Sequence, residues 1–415
     1  MKKLTILLLV LALAMGQLAS CGAASGRKGS AAHLSLVKNF SRMEEWDDET
    51  LLAVSEYWCV TMSEEAGAAN PALAEVLEQN FNMAARSMED EYDNLLATAK
   101  DELKLLGANS FVTKSSALDM QIRRADSVAV SVLSDSSLVY GRINGRYLNG
   151  TTYDTATGKA LLLTDVITDM SKIPAIVKEE LQSHTWTGDL YSDTAVEDYF
   201  RDTPADGIRW TLDYNGVTFY FADGDLADLG AGHLAATVTF AEHPALFNEK
   251  YMAVPDAYMV ELPLAAAFYA DLDGDGRSEE LTVSPVSDAE GISYEAVEIF
   301  TDTDAQYFRT ELQANAYHIT GGYHPYYVKT ANDKHYLYLF AEGSALAAGD
   351  MALRVIDITG GKFSEVGDLA AAPGYLPIDR AWALTDPDNM MLENFEAMEE
   401  AAPYRVGKNG MPEKK

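Results

Sequence analysis

The hydrophobic period of this chain changes at Gly107, and that change limits what it can fold into. Before it, Leu73, Val76, Leu77, Phe81, Met83, Ala84, Met88, Tyr92, Leu95, Leu96 and Leu103 recur at steps of three and four. That is the spacing of a helix with one apolar face. Pro71 suits the first helical turn, where a missing N–H costs nothing, and Gly107 suits the stop. After Gly107, Leu118, Met120 and Ile122 alternate with polar residues, as do Val128, Val130 and Val132. Period two is the spacing of a half-buried strand. Upstream, residues 51–60 are rich in aromatic and β-branched side chains and favour a strand. Residues 145–150 and 155–159 read as turns between short strands, and 161–163 closes the run. Helices are predicted near 173–181 and 195–200, and strands at 210–212, 217–221 and 234–240. A long helix with an antiparallel sheet makes residues 44–258 an α+β domain.

Several stretches of this region match a known pattern. They are Arg124-Ala125-Asp126-Ser127, the strand 128–133, Tyr153-Asp154-x-x-x-Gly158-Lys159-x-Leu161, and Thr164-Asp165-Val166. Together they resemble an extracytoplasmic domain of Gram-positive bacteria, found in the lysozyme-sensing anti-sigma factor RsiV and in the non-catalytic part of the deacetylase PdaC. Gly216-Val217-x-Phe219-Tyr220-Phe221 fits the same family, and the resemblance spans about half the chain. It implies a sensor-like α+β fold and binding at the cell envelope, with lysozyme or a wall glycan as ligand. Three departures qualify it. The place where the family often carries Gly-Gly-x-His reads Tyr140-Gly141-Arg142-Ile143-Asn144-Gly145. An anti-sigma role is disfavoured, because a cleavable signal stands where a sigma-binding segment would be, and no deacetylase metal motif is present.

That signal is Lys2-Lys3 followed by an apolar run over residues 4–15. The run is too short for a hydrocarbon core ~30 Å thick, and its anatomy is that of an export signal. It ends in Leu18-Ala19-Ser20-Cys21, which resembles the lipobox of bacterial lipoproteins. This implies a signal peptide over 1–20, lipidation of Cys21, a flexible tether over 21–43 and an extracytoplasmic, lipid-anchored protein. An ordinary secretory signal with a chance cysteine is the other reading. With Cys21 lipidated, Cys59 has no intrachain partner and reads as a small buried hydrophobe. The chain carries 64 acids against 31 bases, a formal charge of −33. Nucleic acid is excluded as a partner, because phosphate binding needs Lys and Arg. A polybasic grip on anionic lipid is excluded for the same reason, so membrane contact is expected through the N-terminal lipid only. The acids are spread along the chain rather than gathered in a tail, as on a solvated acidic surface.

One cluster has a chemistry of its own: Asp271-Leu272-Asp273-Gly274-Asp275-Gly276-Arg277-Ser278-Glu279-Glu280. Asp271, Asp273 and Asp275 stand at alternate positions of a tight loop and can face one centre. Gly276 permits the sharp turn, the Arg277 carbonyl can add an oxygen, and Glu279 can close the shell. Hard oxygen ligands in this number suit a structural Ca²⁺. An EF-hand would need a bidentate Glu at the twelfth position, which here is Thr282. With strands expected on both flanks, the loop resembles the calcium hairpin of integrin-like repeats. The alternative is a metal-free turn, which Asp and Gly also favour. The later turn Thr301-Asp302-Thr303-Asp304 lacks the glycine and the third acid, and reads as solvated.

The rest of the chain predicts strand after strand, at 296–300, 308–312, 326–329, 336–340, 353–356, 363–366 and 382–384. Short strands at this spacing make residues 259–412 an all-β domain. A propeller needs at least four blades of four strands, so an incomplete propeller-like or sandwich-like unit is expected. Tyr317, Tyr323, Tyr326, Tyr327, Tyr336 and Tyr338, with His318, His324 and His335, form either a sugar platform or a packed sheet face. No G-x-S-x-G, H-E-x-x-H, Walker or Rossmann pattern is present. The first reading is therefore a non-enzymatic surface lipoprotein that binds a wall glycan or a basic protein such as lysozyme. The alternatives are a wall-glycan hydrolase or esterase with an unrecognised carboxylate pair, and a structural envelope protein.

Overall fold

In the computed structural model, residues 31–415 are described apart from 141–142, 184–189, 228–232, 288–292, 316–321, 343–350, 377–378 and 395–398. The first sheet is built from β1 (Leu36–Asp47), β2 (Thr50–Met62), β3 (Lys114–Ala125), β4 (Ala129–Tyr140) and β5 (Ile143–Asp154). β1 and β2 form a hairpin, β2 and β3 run parallel, and β3 to β5 form an antiparallel meander. The parallel step needs a crossover. It is supplied by the short helix α1 (Glu64–Ala69) and by α2 (Pro71–Leu106), which is about 54 Å long. α2 buries Leu73, Leu77, Met88, Leu95 and Ala99, the apolar stripe expected. Leu73 and Leu77 join Leu36, Val60, Ile122, Val130 and Tyr153 in one core.

Three local expectations change. The tether expected over 21–43 cannot extend past Leu36, because residues 36–43 lie inside β1 with their backbone paired to β2. Residues 145–150 are not a turn but part of β5, paired with β4 throughout. Gly150 is there for another reason: a Cβ on it would sit 1.8 Å from the Trp210 carbonyl oxygen, so the strand carrying Trp210 can cross only over a bare backbone. Residue 163 does not close a strand but opens the helical turn α3 (Leu163–Val166).

A second, three-stranded sheet of β6 (Arg209–Leu212), β7 (Gly216–Phe221) and β8 (Leu234–Thr239) packs under α4 (Ile173–Ser183) and α5 (Ala195–Asp202). Val177, Leu181 and Val196 meet Phe219, Phe221 and Val238 in its core. β9 (Tyr258–Glu261) then leads into the β-rich half. There β10 (Ala267–Ala270), β11 (Glu279–Ser287), β12 (Ser293–Thr301) and β13 (Gln306–Thr310) form one sheet, to which β14 (Ala314–Asn315) adds by pairing with β12. β15 (Tyr323–Lys329), β16 (His335–Glu342), β17 (Met351–Asp357) and β18 (Ser364–Leu369) continue β9 into another. A last sheet holds β19 (Ala371–Pro373), β21 (Met390–Asn394), β22 (Glu399–Val406) and β23 (Pro412–Lys414).

The β9–β18 sheet is the middle layer of three. One face shares a core with the β10–β13 sheet, through Tyr327, Leu337, Leu339 and Ile356 against Phe268, Leu281 and Ile299. The other face packs Tyr326, Tyr338, Phe340 and Leu353 on Leu392 and Tyr404 of the last sheet. The arrangement is α+β with a β-rich half of stacked sheets, none of them closed. Being covered on both faces explains β16, where alternation fails and seven consecutive residues from His335 are buried. The tyrosines are the filling of this sandwich. Tyr323, Tyr326, Tyr327, Tyr336 and Tyr338 are all buried, and the Tyr327 hydroxyl meets His335 Nδ1 at 2.7 Å. Of the two readings left open by the sequence, the packed sheet face is the one seen for these tyrosines, while Tyr317 and His318 lie outside the described residues.

The two halves of the chain are knitted together. The short strand β20 (Arg380–Trp382) pairs with β1, making the first sheet six-stranded. β3 carries a bulge between Ile122 and Arg124. A bulge breaks alternation and re-aims side chains, and here it buries two successive arginines. Arg123 makes a bidentate pair with Asp213 (Nε–Oδ1 3.3 Å, Nη2–Oδ2 2.9 Å) and donates from Nη1 to the Glu261 carbonyl at 3.1 Å. Arg124 pairs with Asp126 at 2.8 Å and donates to the carbonyls of Tyr251 and Ala253. Burial alone would lower the proton affinity of Arg123, but Asp213, with Tyr220 and Glu261, outweighs it and raises the value. Removing one partner of a buried pair leaves an uncompensated charge, at a cost of about 3–5 kcal/mol. Arg123→Met is therefore expected to lower unfolding free energy in urea by about 3–5 kcal/mol. A loss below about 1 kcal/mol, the range of an exposed pair, would contradict this role.

Candidate functional site

Two constellations stand out, one foreseen and one not. The foreseen one is the loop between β10 and β11. Ala270 and Glu279 are the last paired residues of the hairpin, so residues 271–278 form its turn. Leu272 is buried in the sandwich core, its N–H donates to Glu279 Oε2 at 2.6 Å, and its carbonyl accepts from Gly360 N–H at 2.7 Å. One apolar side chain and two backbone contacts thus fix the loop. The aspartates then fold it on itself. Asp271 accepts from the N–H groups of Gly274 (2.7 Å) and Gly276 (3.1 Å), Asp273 from Asp275 (3.0 Å), and Asp275 from Arg277 (2.8 Å). Gly274 and Gly276 have φ of 80° and 90°, a region other residues rarely enter.

This brings Asp271, Asp273 and Asp275 together, each with a carboxylate oxygen within 4.8 Å of the others. Glu279 is not part of that close group, since one of its oxygens is turned onto the Leu272 N–H. It still senses the cluster. Burial, and then the charges of Asp273, Asp271 and Asp275, push its carboxyl up to about 7. Arg277 is exposed at the loop edge. The turn after β12, read from sequence as merely solvated, supports the hairpin, because Asp302 Oδ1 accepts the Glu280 N–H at 2.8 Å and braces its foot. Glu180, Glu242 and His243 also bring ligand atoms within 4.8 Å, although they are 62 and 63 residues apart along the chain.

The constellation not foreseen is a buried ionic cluster where the halves meet. Lys38 of β1 places Nζ 2.9 Å from Asp119 Oδ1 and 2.7 Å from Glu261 Oε2. His324 of β15 stands with Nδ1 3.9 Å from Glu261 Oε1 and Nε2 3.2 Å from Glu342 Oε1. Burial would lower the proton affinity of His324, but Glu261 and Glu342 together raise it to about 10. Burial would raise Glu261, but Lys38 and His324 bring it well below the usual carboxylate range. Asp119 stays raised, because burial outweighs its share of Lys38. No motif announces these five residues, which come from strands up to 304 positions apart in sequence.

Of the remaining sequence-based sites, Cys21 lies outside the described residues. Cys59 is fully buried, and burial pushes its thiol up to about 12, as an inert hydrophobe should be. No family model and no curated protein sequence matches this chain. Among solved structures, a DUF3298-family protein of Bacteroides fragilis is similar over 54% of this chain and 96% of its own, with a TM-score of 0.39 and 10% identity. A DUF3298-family protein of Pseudomonas aeruginosa PAO1 is similar over 53% and 97%, with a TM-score of 0.35 and 15% identity.

The ionic cluster makes stability depend on pH in a defined way. His324 binds its proton more tightly folded than unfolded, about 10 against 6.5. Its contribution is complete below pH 6.5 and is lost as pH rises towards 10. Glu261 is shifted the other way from 4.5, so its contribution is present above pH 4.5 and is lost on acidification. His324→Gln is expected to flatten the alkaline decline between pH 6.5 and 10, by a few kcal/mol in urea titrations. An unchanged alkaline slope in the variant would show that the imidazolium carries no such load.

Proposed function

We propose that this is a lipid-anchored extracytoplasmic protein that binds a cell-envelope ligand without transforming it, and that one Ca²⁺ pins its C-terminal half. The observation that favours binding over hydrolysis is the way the buried acids are used. Asp126, Asp213, Glu261 and Glu56 are each held by a cation, from Arg124, Arg123, Lys38 and Arg42 respectively. A glycosidase instead needs two carboxyl groups free to meet the glycosidic bond. The hydrolase reading has one point in its favour, because Asp119 and Glu261 are pushed in opposite directions, as an acid and a base would be. Against it, the Lys38 ammonium sits within hydrogen-bond reach of both and locks them as a structural triad.

Anchoring rests on Cys21, the first residue after the export signal. Among the described residues no helix is long and apolar enough to cross a membrane. The ligand is sought among basic proteins such as lysozyme first, and wall glycans second. The reason is the formal charge of −33, since opposite charge speeds encounter by about 10–10³-fold and makes it salt-sensitive. Immobilised protein is expected to retain lysozyme at low salt and release it as salt rises. No retention at low salt would remove lysozyme from consideration.

The loop residues fit Ca²⁺. Asp271, Asp273 and Asp275 would supply carboxylate oxygens, with the Arg277 carbonyl and Glu279 available to complete the set, and these hard donors suit a hard cation. Three converging aspartates and a glutamate raised by burial and by their charge are a repulsive group that a divalent ion relieves. The ion's role is structural. It would tie a loop already anchored at Leu272 into the sandwich. Asp273→Ala is expected to lower the thermal midpoint in excess Ca²⁺ and to match the unaltered protein in chelator. Equal midpoints in excess Ca²⁺ would sink this assignment.

A further inference from the structure

Beside the ionic cluster lies a cavity of about 240 Å³, walled by the first sheet on one side and by the β-rich half on the other. The first wall is unusual for a buried sheet face. Asp119 on β3 and Asp135 on β4 are directly opposite in the antiparallel register, where like charges repel. Each is neutralised separately. Asp119 is held by Lys38 and accepts from Gln121 Nε2 at 3.2 Å. Asp135 is gripped by Arg146 through Nε at 2.9 Å and Nη2 at 2.5 Å. Ser137 continues the stripe along the cavity, opposite Arg146. A sheet face meant only for packing would carry alternating apolar residues here.

The second wall brings His324 and Glu261 together with two tyrosine rings. Tyr294 and Tyr323 lie 5.6 Å apart between centroids with a 37° tilt. The Tyr323 hydroxyl is spent on the Leu312 carbonyl, so what this residue adds to the wall is an apolar ring. Gln121 also lines the cavity. It is 5% exposed, and its Oε1 is a buried acceptor without a donor among the described residues.

We propose that this cavity is a binding site for one neutral, hydroxyl-rich ring, a single hexose-sized sugar unit. The volume equals the liquid share of about eight waters, below the range of pockets for drug-sized ligands. The charged groups around it are already paired, so a ligand with a full charge would have to compete with Lys38 or Arg146. What the walls offer instead is a fixed mixture of acceptors and donors, which matches hydroxyl groups because each can give and take a hydrogen bond. The half-buried Tyr294 ring, backed by Tyr323, suits the apolar face of such a ring. This deepens the binding reading above and rests on it, by placing a glycan subsite within the fold rather than on the acidic surface.

The test is titration of the full exported chain with D-glucose, N-acetyl-D-glucosamine and glycerol, followed by saturation-transfer NMR. Saturable binding of at least one sugar, with none for glycerol, is expected. Ser137→Trp should fill the cavity and abolish binding while leaving the thermal midpoint unchanged, since Ser137 is partly exposed and its change leaves every ion pair in place. Gln121→Leu should weaken binding about 3–10-fold, the worth of one neutral hydrogen bond. Absence of saturable binding for both sugars, or equal affinity in the Ser137→Trp variant, would overturn the site. Sugar binding lost while lysozyme or wall glycan is still retained defeats this inference alone. Retention of neither lysozyme nor polymer, with the sugar still bound, defeats the envelope reading and leaves the cavity standing.

Discussion

The architecture depends on two guanidinium groups held in the interior by a single irregularity of β3. Arg123 and Arg124 are adjacent, and both are almost completely buried. That would be ruinous for free charges, since a buried ion without partners costs far more than a fold can spare. It is tolerable because a guanidinium presents five donors in a fixed fork. Each arginine takes one carboxylate and at least one main-chain carbonyl. Asp213 is further steadied by the hydroxyls of Thr211 and Thr218, each at 2.8 Å. One arginine therefore ties β3 to the small sheet and to β9, and the other ties it to the segment that precedes β9.

The same logic recurs at Lys38. Its carboxylate partners come from the first sheet and from β9, and its ammonium also lies 5.7 Å from the centre of the Trp58 ring. With β20 completing the first sheet from 341 residues downstream of Asn39, residues 31–415 behave as one compact unit. The seam between the N-terminal part and the β-rich part is polar and crossed by ion pairs, not a linker.

Much of the secondary structure was legible. α2 could be read because a 36-residue amphipathic pattern has a single period and clear ends at Pro71 and Gly107. The convergence of Asp271, Asp273 and Asp275 could be read because these residues are local in sequence. What could not be read shares one cause, namely contacts between residues far apart. Gly150 looked like a turn because the strand that needs its bare backbone arrives only at Trp210. The tyrosines of β15 and β16 left a packed sheet face and a sugar platform open, because nothing local says that a sheet is covered on both faces. Tyr153 and Asp154, part of the family resemblance, hold distant segments together. The Tyr153 hydroxyl accepts from Asn80 on α2 at 2.6 Å, and Asp154 meets Lys250. Lys38, Asp119, Glu261 and His324 form no spacing pattern at all, and no reading of one strand could have gathered them.

The placement of β1 has a mechanical consequence. Any pull on the chain ahead of Leu36, as from a membrane-held N-terminus, enters a strand with hydrogen-bonded neighbours on both sides, β2 over twelve registered pairs and β20 over three. Two residues further on, Lys38 transmits that tension to Glu261 in the other half. A protein held this way would feel drag on its outer half as load on a central seam rather than on a hinge. Its two halves would strain together or not at all.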